Sequence, residues 1–191
     1  MNARLLGGFL VCGLLLTACG DDDNNSADSG ISDTGTADSG LGLPVRASEV
    51  EALIASGDYN DWICEAMPRA MRGPSSHGVV RVCSNRVLST YVEDPNEQWL
   101  RGSAAMKEIY DSETDTTPSG YSYYVKVDDE SAAGAGWYWY ERRGTTVTGD
   151  GRGTATDGSD DCVGCHAGAG IDADHITAPG SRDFVYTAIT R

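Results

Sequence analysis

Five consecutive residues, Cys162-Val163-Gly164-Cys165-His166, carry the densest chemistry in the sequence. Two thiols three positions apart with an adjoining imidazole fit the attachment of a c-type haem. One helical turn can carry both sulfurs across the separation of the two haem vinyl groups, and the adjacent histidine then serves the iron as axial ligand. Other chemistries also use two closely spaced cysteines. A thiol–disulfide exchange pair opens a helix that follows a strand and has no need of the histidine. A four-cysteine zinc site could recruit Cys64 and Cys83, but thiolates in an oxidising compartment tend to oxidise first. A disulfide closed within the motif is strained. The expectation is one covalent haem c, with Cys162 and Cys165 bonded to the ring and His166 on the iron.

The sixth iron position is less defined. His77, His175, Met67, Met71 and Met106 are the remaining candidates, and none sits in a motif that demands ligation. An open or water-bound site is expected, which suits small-molecule chemistry; a closed site would suit electron transfer alone.

The chain has 191 residues, 14 Lys+Arg against 29 Asp+Glu, and a net charge of −15. An acidic surface repels nucleic acid and anionic lipid, so neither is an expected partner. Only Lys107 and Lys126 are lysines; for Lys126 the plain reading is biased residue usage. Arg4 followed by the apolar run Leu5 to Leu16 reads as a targeting segment over residues 1–18, too short to span a bilayer. It ends in Leu16-Thr17-Ala18-Cys19, a lipobox pattern, so Cys19 is expected to be lipidated and to anchor the chain to a membrane. Gly20 in place of an aspartate favours the periplasmic face of the outer membrane. Export places the chain in an oxidising compartment. With Cys19 lipidated and the motif pair on haem, Cys64 and Cys83 remain to form a disulfide, a closure that contributes about 3 kcal/mol in a chain-entropy account.

Residues 19–45 form the lipidated end and an acidic linker with six aspartates and no basic residue, too poor in apolar side chains to order itself. The folded domain is expected over 46–191. Ser48-Glu49-Val50-Glu51 reads as a capping box and Gly57 as a helix stop; Trp62, Ile63 and Met67 suggest a second helical segment ending near Pro68. Strands are expected at Val79–Cys83, Ala104–Tyr110, Tyr121–Val127, Gly136–Arg142 and Phe184–Thr187, with a polar loop from Gly144 to Asp161. The fold class is α+β: an antiparallel sheet of about five strands packed with short helices around the haem. On the second strand Ala105, Lys107 and Ile109 share one face, which directs Lys107 toward an apolar surface. An edge lysine shielding the sheet, or one snorkelling to solvent, is the competing reading. One pair among Trp137, Tyr138, Trp139 and Tyr140 is expected to be buried.

Taken together, Ala105-Met106-Lys107-Glu108-Ile109-Tyr110, Gly136-Trp137-Tyr138-Trp139-Tyr140-Glu141, the motif at 162–166 and Asp183-Phe184-Val185-Tyr186-Thr187 resemble the cytochrome P-460 family, in order, from Trp62 to Thr187. The resemblance implies a mostly antiparallel sheet with helices and one c-type haem. It also implies a lysine bonded covalently to the ring edge, a role that falls on Lys107, and an accessible iron that takes hydroxylamine or nitric oxide and passes electrons to another protein. Relatives called cytochromes c-prime-beta share the fold without the cross-link and bind gases. Family members are often dimers, so a homodimer is implied. The chain departs from the pattern at one place. Hydroxylamine-oxidising members carry a distal carboxylate near the start of the strand after the lysine strand, and here Gly120 to Lys126 holds none. Ser122 and Tyr124 are much weaker bases at neutral pH.

Overall fold

The computed structural model describes residues 41–71, 76–90, 98–153, 159–169 and 183–186. The targeting segment, Cys19, most of the acidic linker, His175 and Thr187 lie outside them.

Helix α1 (Ala47–Ser56) leads through a 3-10 turn (Asp58–Asp61) into two short strands, β1 (Ile63–Cys64) and β2 (Arg69–Ala70). Then come β3 (Val79–Ser84), α2 (Arg86–Thr90), β4 (Ala104–Tyr110), β5 (Gly120–Lys126), β6 (Trp137–Arg143), β7 (Thr146–Arg152) and α3 (Ser159–His166). The strands form one antiparallel sheet in the order β1-β3-β4-β5-β6-β7, with β2 also on β3. The α+β class holds, with seven strands among the described residues instead of about five.

Successive side chains in a strand point to opposite faces, and here both faces are covered. The front face carries Val82, Ala105, Ile109, Tyr124, Trp137 and Trp139, packed against Val163 of α3 and Phe184. The back face carries Cys83, Met106, Tyr123, Val125, Tyr138 and Tyr140, packed against Val50 of α1 and Tyr59. All four residues from Trp137 to Tyr140 are therefore buried, two on each face. Each such side chain contributes roughly 1.5–3 kcal/mol by leaving water.

Several local expectations are corrected. α1 begins at Ala47 with Arg46 as its N-cap and no side-chain cap hydrogen bond, so the expected capping box does not form; instead the Val45 N–H donates to Glu49 Oε2 (2.9 Å), and Arg46 pairs with Glu49 (3.2 Å). Glu51 is released to accept a hydrogen bond from the Tyr140 hydroxyl and to pair with Arg142. The helix does stop at Gly57, which is left-handed (φ 73°) and donates its N–H to Leu53 O. The helix expected near Trp62–Met67 is replaced by β1, because Cys64 sits opposite Cys83 in the ladder and Glu65 accepts the Val82 N–H. Seven residues of the loop expected from Gly144 to Asp161 form β7. Gly144 (φ 53°) and Thr145 make a two-residue hairpin turn between Arg143 and Thr146, the geometry that matches strand twist. The closing segment is not a sheet strand: Val185 makes an isolated bridge, and Asp183 and Phe184 are left-handed (φ 45° and 66°).

The core also reaches further toward the N-terminus than Arg46, since Leu41, Leu43 and Val45 pack against the back-face cluster. A chain beginning at Arg46 is therefore expected to be less stable than one beginning at Leu41 by about 2–4 kcal/mol. Equal urea midpoints for the two would mean that these three side chains contribute nothing.

Candidate functional site

α3 lies against β6 and β7, and the motif occupies its C-terminal half. Cys162 and His166 are four apart and so share a helix face, with Cys165 beside them. Val163 takes the inward position and packs on the front-face cluster. Its seat is Gly134 (φ 99°), in the turn between β5 and β6: a Cβ there would stand 2.7 Å from Val163 Cγ1.

Cys162, Cys165 and His166 line one cavity of about 410 Å³ together with Ser76, His77, Ser122, Trp139, Glu141, Thr148 and Asp161. Cys162 is partly buried and Cys165 exposed, and neither is in a disulfide. His166 is buried, ringed by Trp139 (centroids 4.8 Å), Tyr124 (5.6 Å), Tyr186 (5.6 Å) and His77 (6.4 Å). Its Nδ1–H donates to the Phe184 carbonyl at 2.6 Å. That bond fixes the tautomer and leaves the Nε2 lone pair available, as metal-binding histidines require. Lys107 Nζ lies 3.4 Å from Nε2.

Lys107 is thus neither an edge residue nor a snorkelling one. β4 is a central strand, and Lys107 is 5% exposed on the front face. Strand register supplies its setting. Lys107 pairs with Ser122 and Ser122 with Glu141, so one rung across β4, β5 and β6 carries three polar side chains of like orientation. Glu141, on the strand next to β5, and Asp161 are the carboxylates among the described residues that line the cavity. Glu141 Oε1 accepts from Arg143 Nε (2.9 Å), and its Oε2 lies 3.4 Å from His77 Nδ1.

Burial dominates the electrostatics. It pushes the Lys107 ammonium down to about 8, against the opposing pull of Glu141. Burial, then the Lys107 charge, hold His166 well below the usual histidine range. Burial followed by Lys107 and Arg143 pushes His77 down to about 3, so His77 is neutral and its approach to Glu141 is not an ion pair. Burial raises the Cys162 thiol to about 11.

These positions separate the chemistries left open by the motif. Exchange-active cysteines sit at a helix N-terminus with a depressed pKa; here Cys162 is the fourth and Cys165 the seventh of eight helical residues, and burial shifts Cys162 upward. Cys64 and Cys83 are joined in a disulfide (S–S 2.05 Å) on the back face, so they are not available as zinc ligands. Among the described residues no group of three or more His, Cys, Asp or Glu side chains is arranged to hold a metal ion unaided. The residues do fit a haem. Two unpaired thiols and an oriented imidazole open on one cavity, and the Trp139 Nε1–H, buried against it, has no hydrogen-bond partner. An orphaned buried donor is uncommon in a finished interior.

His77 and Glu141 were not singled out from sequence as a cavity pair, although alternation from Trp137 through Trp139 puts Glu141 on the Lys107 side of the sheet. Lys126 was read as ordinary residue usage, yet it is wholly buried, paired with Asp183 at 2.9 Å. No family model matches the sequence, and a search of the curated proteins finds no match.

The seat of α3 is open to test. Gly134→Ala adds a methyl into Val163 at a backbone angle that disfavours any side chain, and should cost about 2–4 kcal/mol. Gly164→Ala meets nothing within 4 Å and, inside a helix, should be neutral or stabilising by up to about 1 kcal/mol. Thermal denaturation of the two variants would contradict this seating if both behaved alike.

Proposed function

We propose that the chain is an exported c-type cytochrome of the P-460 type, anchored to a membrane through Cys19. In this reading Cys162 and Cys165 hold the haem, His166 binds the iron, and Lys107 bonds the ring. The observation that carries the reading is the convergence of both thiols and the Nδ1-anchored imidazole of His166 on one cavity. The approach of the Lys107 amine to His166 Nε2 supports its share. Bound haem would supply an iron centre able to take a small nitrogen-oxide ligand and pass its electrons to a separate electron-transfer protein.

The chain's own residues divide the remaining work. The Phe184 carbonyl orients His166, and Trp139 and Tyr124 pack around the imidazole and limit water. Oxidation of hydroxylamine or nitric oxide releases protons, and Glu141 lines the cavity as a carboxylate able to accept them. That residue supports turnover where β5 alone offers hydroxyls. Homodimer formation is part of the proposal on the family resemblance alone.

Peptide mass spectrometry of chain matured with the c-haem attachment machinery tests the reading. Haem mass on the peptide containing 162–166, joined also to the Lys107 peptide, is the expected result. Haem on the cysteine peptide alone would move the reading to a gas-binding or electron-carrying cytochrome without the cross-link. Absence of haem would refute it.

A further inference from the structure

The other lysine points to a device that none of the above assigns. Lys126 and Asp183 are both fully inaccessible, and their atoms 2.9 Å apart form a buried ion pair. The three ammonium donors are all used: on Gln98 Oε1 (3.1 Å), Ser131 Oγ (2.8 Å) and Asp183 Oδ2. Asp183 Oδ2 also accepts the Trp99 N–H (2.8 Å), and Oδ1 accepts the Ser131 hydroxyl. That hydroxyl, with one proton to give and two lone pairs, takes the Trp137 Nε1–H (3.2 Å) as its second acceptor contact. Every group in the network is satisfied, which makes it directional and stiff.

A buried ion pair is a poor device for stability alone, because apolar side chains of equal volume often do as well. What this one adds is a fixed backbone. Asp183 and Phe184 hold left-handed conformations that L side chains rarely adopt, and such strain persists only where the surroundings impose it. The residue so held, Phe184, is the one whose carbonyl meets His166 Nδ1.

We propose that Lys126, Asp183 and Ser131 are positioning residues for His166: they lock the 183–184 backbone so that the Phe184 carbonyl accepts the Nδ1–H hydrogen bond and sets the donor strength of Nε2. The consequence for an iron centre rests on the haem reading, whereas the orientation of the imidazole does not. A strong Nδ1–H bond raises the basicity of the ligating nitrogen and so favours the oxidised iron.

The test uses the full chain with three substitutions. Asp183→Asn removes the charge, and Ser131→Ala removes one hydroxyl while leaving the ion pair. Glu108→Gln perturbs a buried carboxylate held on the back face by Tyr59, Tyr110 and Arg81, across the sheet from His166 and outside the Lys126–Asp183 network. In haem-loaded protein, Asp183→Asn and Ser131→Ala should raise the reduction potential and lower the iron–histidine stretching frequency of the ferrous form. Glu108→Gln should lower the melting temperature and move neither. In haem-free protein, 15N NMR should show His166 in the Nδ1–H tautomer, with the two front-face variants mixing tautomers. If Asp183→Asn does not fold, Ser131→Ala decides. Wild-type potential, frequency and tautomer in a folded Ser131→Ala protein would overturn the proposal, as would an equal shift in Glu108→Gln. A chain that never binds haem but keeps the tautomer response would sink the cytochrome reading and leave the positioning role standing.

Discussion

The hydrogen bond from His166 Nδ1 to the Phe184 carbonyl ties the helix that carries the motif to the 183–186 segment. A neutral imidazole in a dry interior has one donor and one acceptor, and spending the donor on a backbone oxygen decides what the acceptor can do. The bond exists only because α3 is seated in the notch at Gly134 and the 183–186 segment is tied beneath it. Both supports rest on the front face of the sheet, so a side chain at the cavity inherits its precision from strand register. Ser122 faces Lys107 and Glu141 faces Ser122 for that reason.

The cavity mixes charge and dryness in an uneven way. Lys107 has the Glu141 carboxylate as an opposing charge across the rung but, among the described residues, no carboxylate in salt-bridge contact, and burial draws its pKa down to about 8. Glu141 by contrast keeps contact with Arg143 toward the sheet margin. A polar rung therefore runs from a deep amine to a better-solvated carboxylate, with a hydroxyl between them.

Much of this was legible in sequence wherever alternation and propensity agreed. β3, β5 and β6 follow from runs rich in β-branched and aromatic residues, β4 from the long turn that follows a weaker run, and the facing of Lys107 from counting in twos. The motif cysteines and the Cys64–Cys83 pair follow from residue type and compartment. Where the reading fell short, tertiary partners outweighed local pattern. β7 reads Thr-Val-Thr-Gly-Asp-Gly-Arg, with glycines that weaken a strand, and it forms because β6 offers a free edge across a Gly144-Thr145 turn. β1 is two residues long and is placed by its pairing with β3. Glu49, not Glu51, turns back to the chain entering α1, because the N-cap falls two residues before the expected one. Lys126 could not be distinguished from a surface lysine, since its partners at 98, 131 and 183 are scattered along the chain. The Phe184 carbonyl is a backbone atom, and residue type says nothing of it.

The disulfide has a bearing on biogenesis. Cys83 is inaccessible among the back-face side chains with Cys64 beside it, whereas Cys162 packs on the front. The two pairs of sulfurs are partitioned by the thickness of the sheet. Thiol–disulfide exchange needs a thiolate to reach a sulfur directly, so scrambling between the pairs is confined to the nascent, unpaired chain. Once β3 to β6 have closed, the sheet acts as an insulating wall. One couple can stay oxidised while the other stays reduced, because neither reaches the other across the folded sheet.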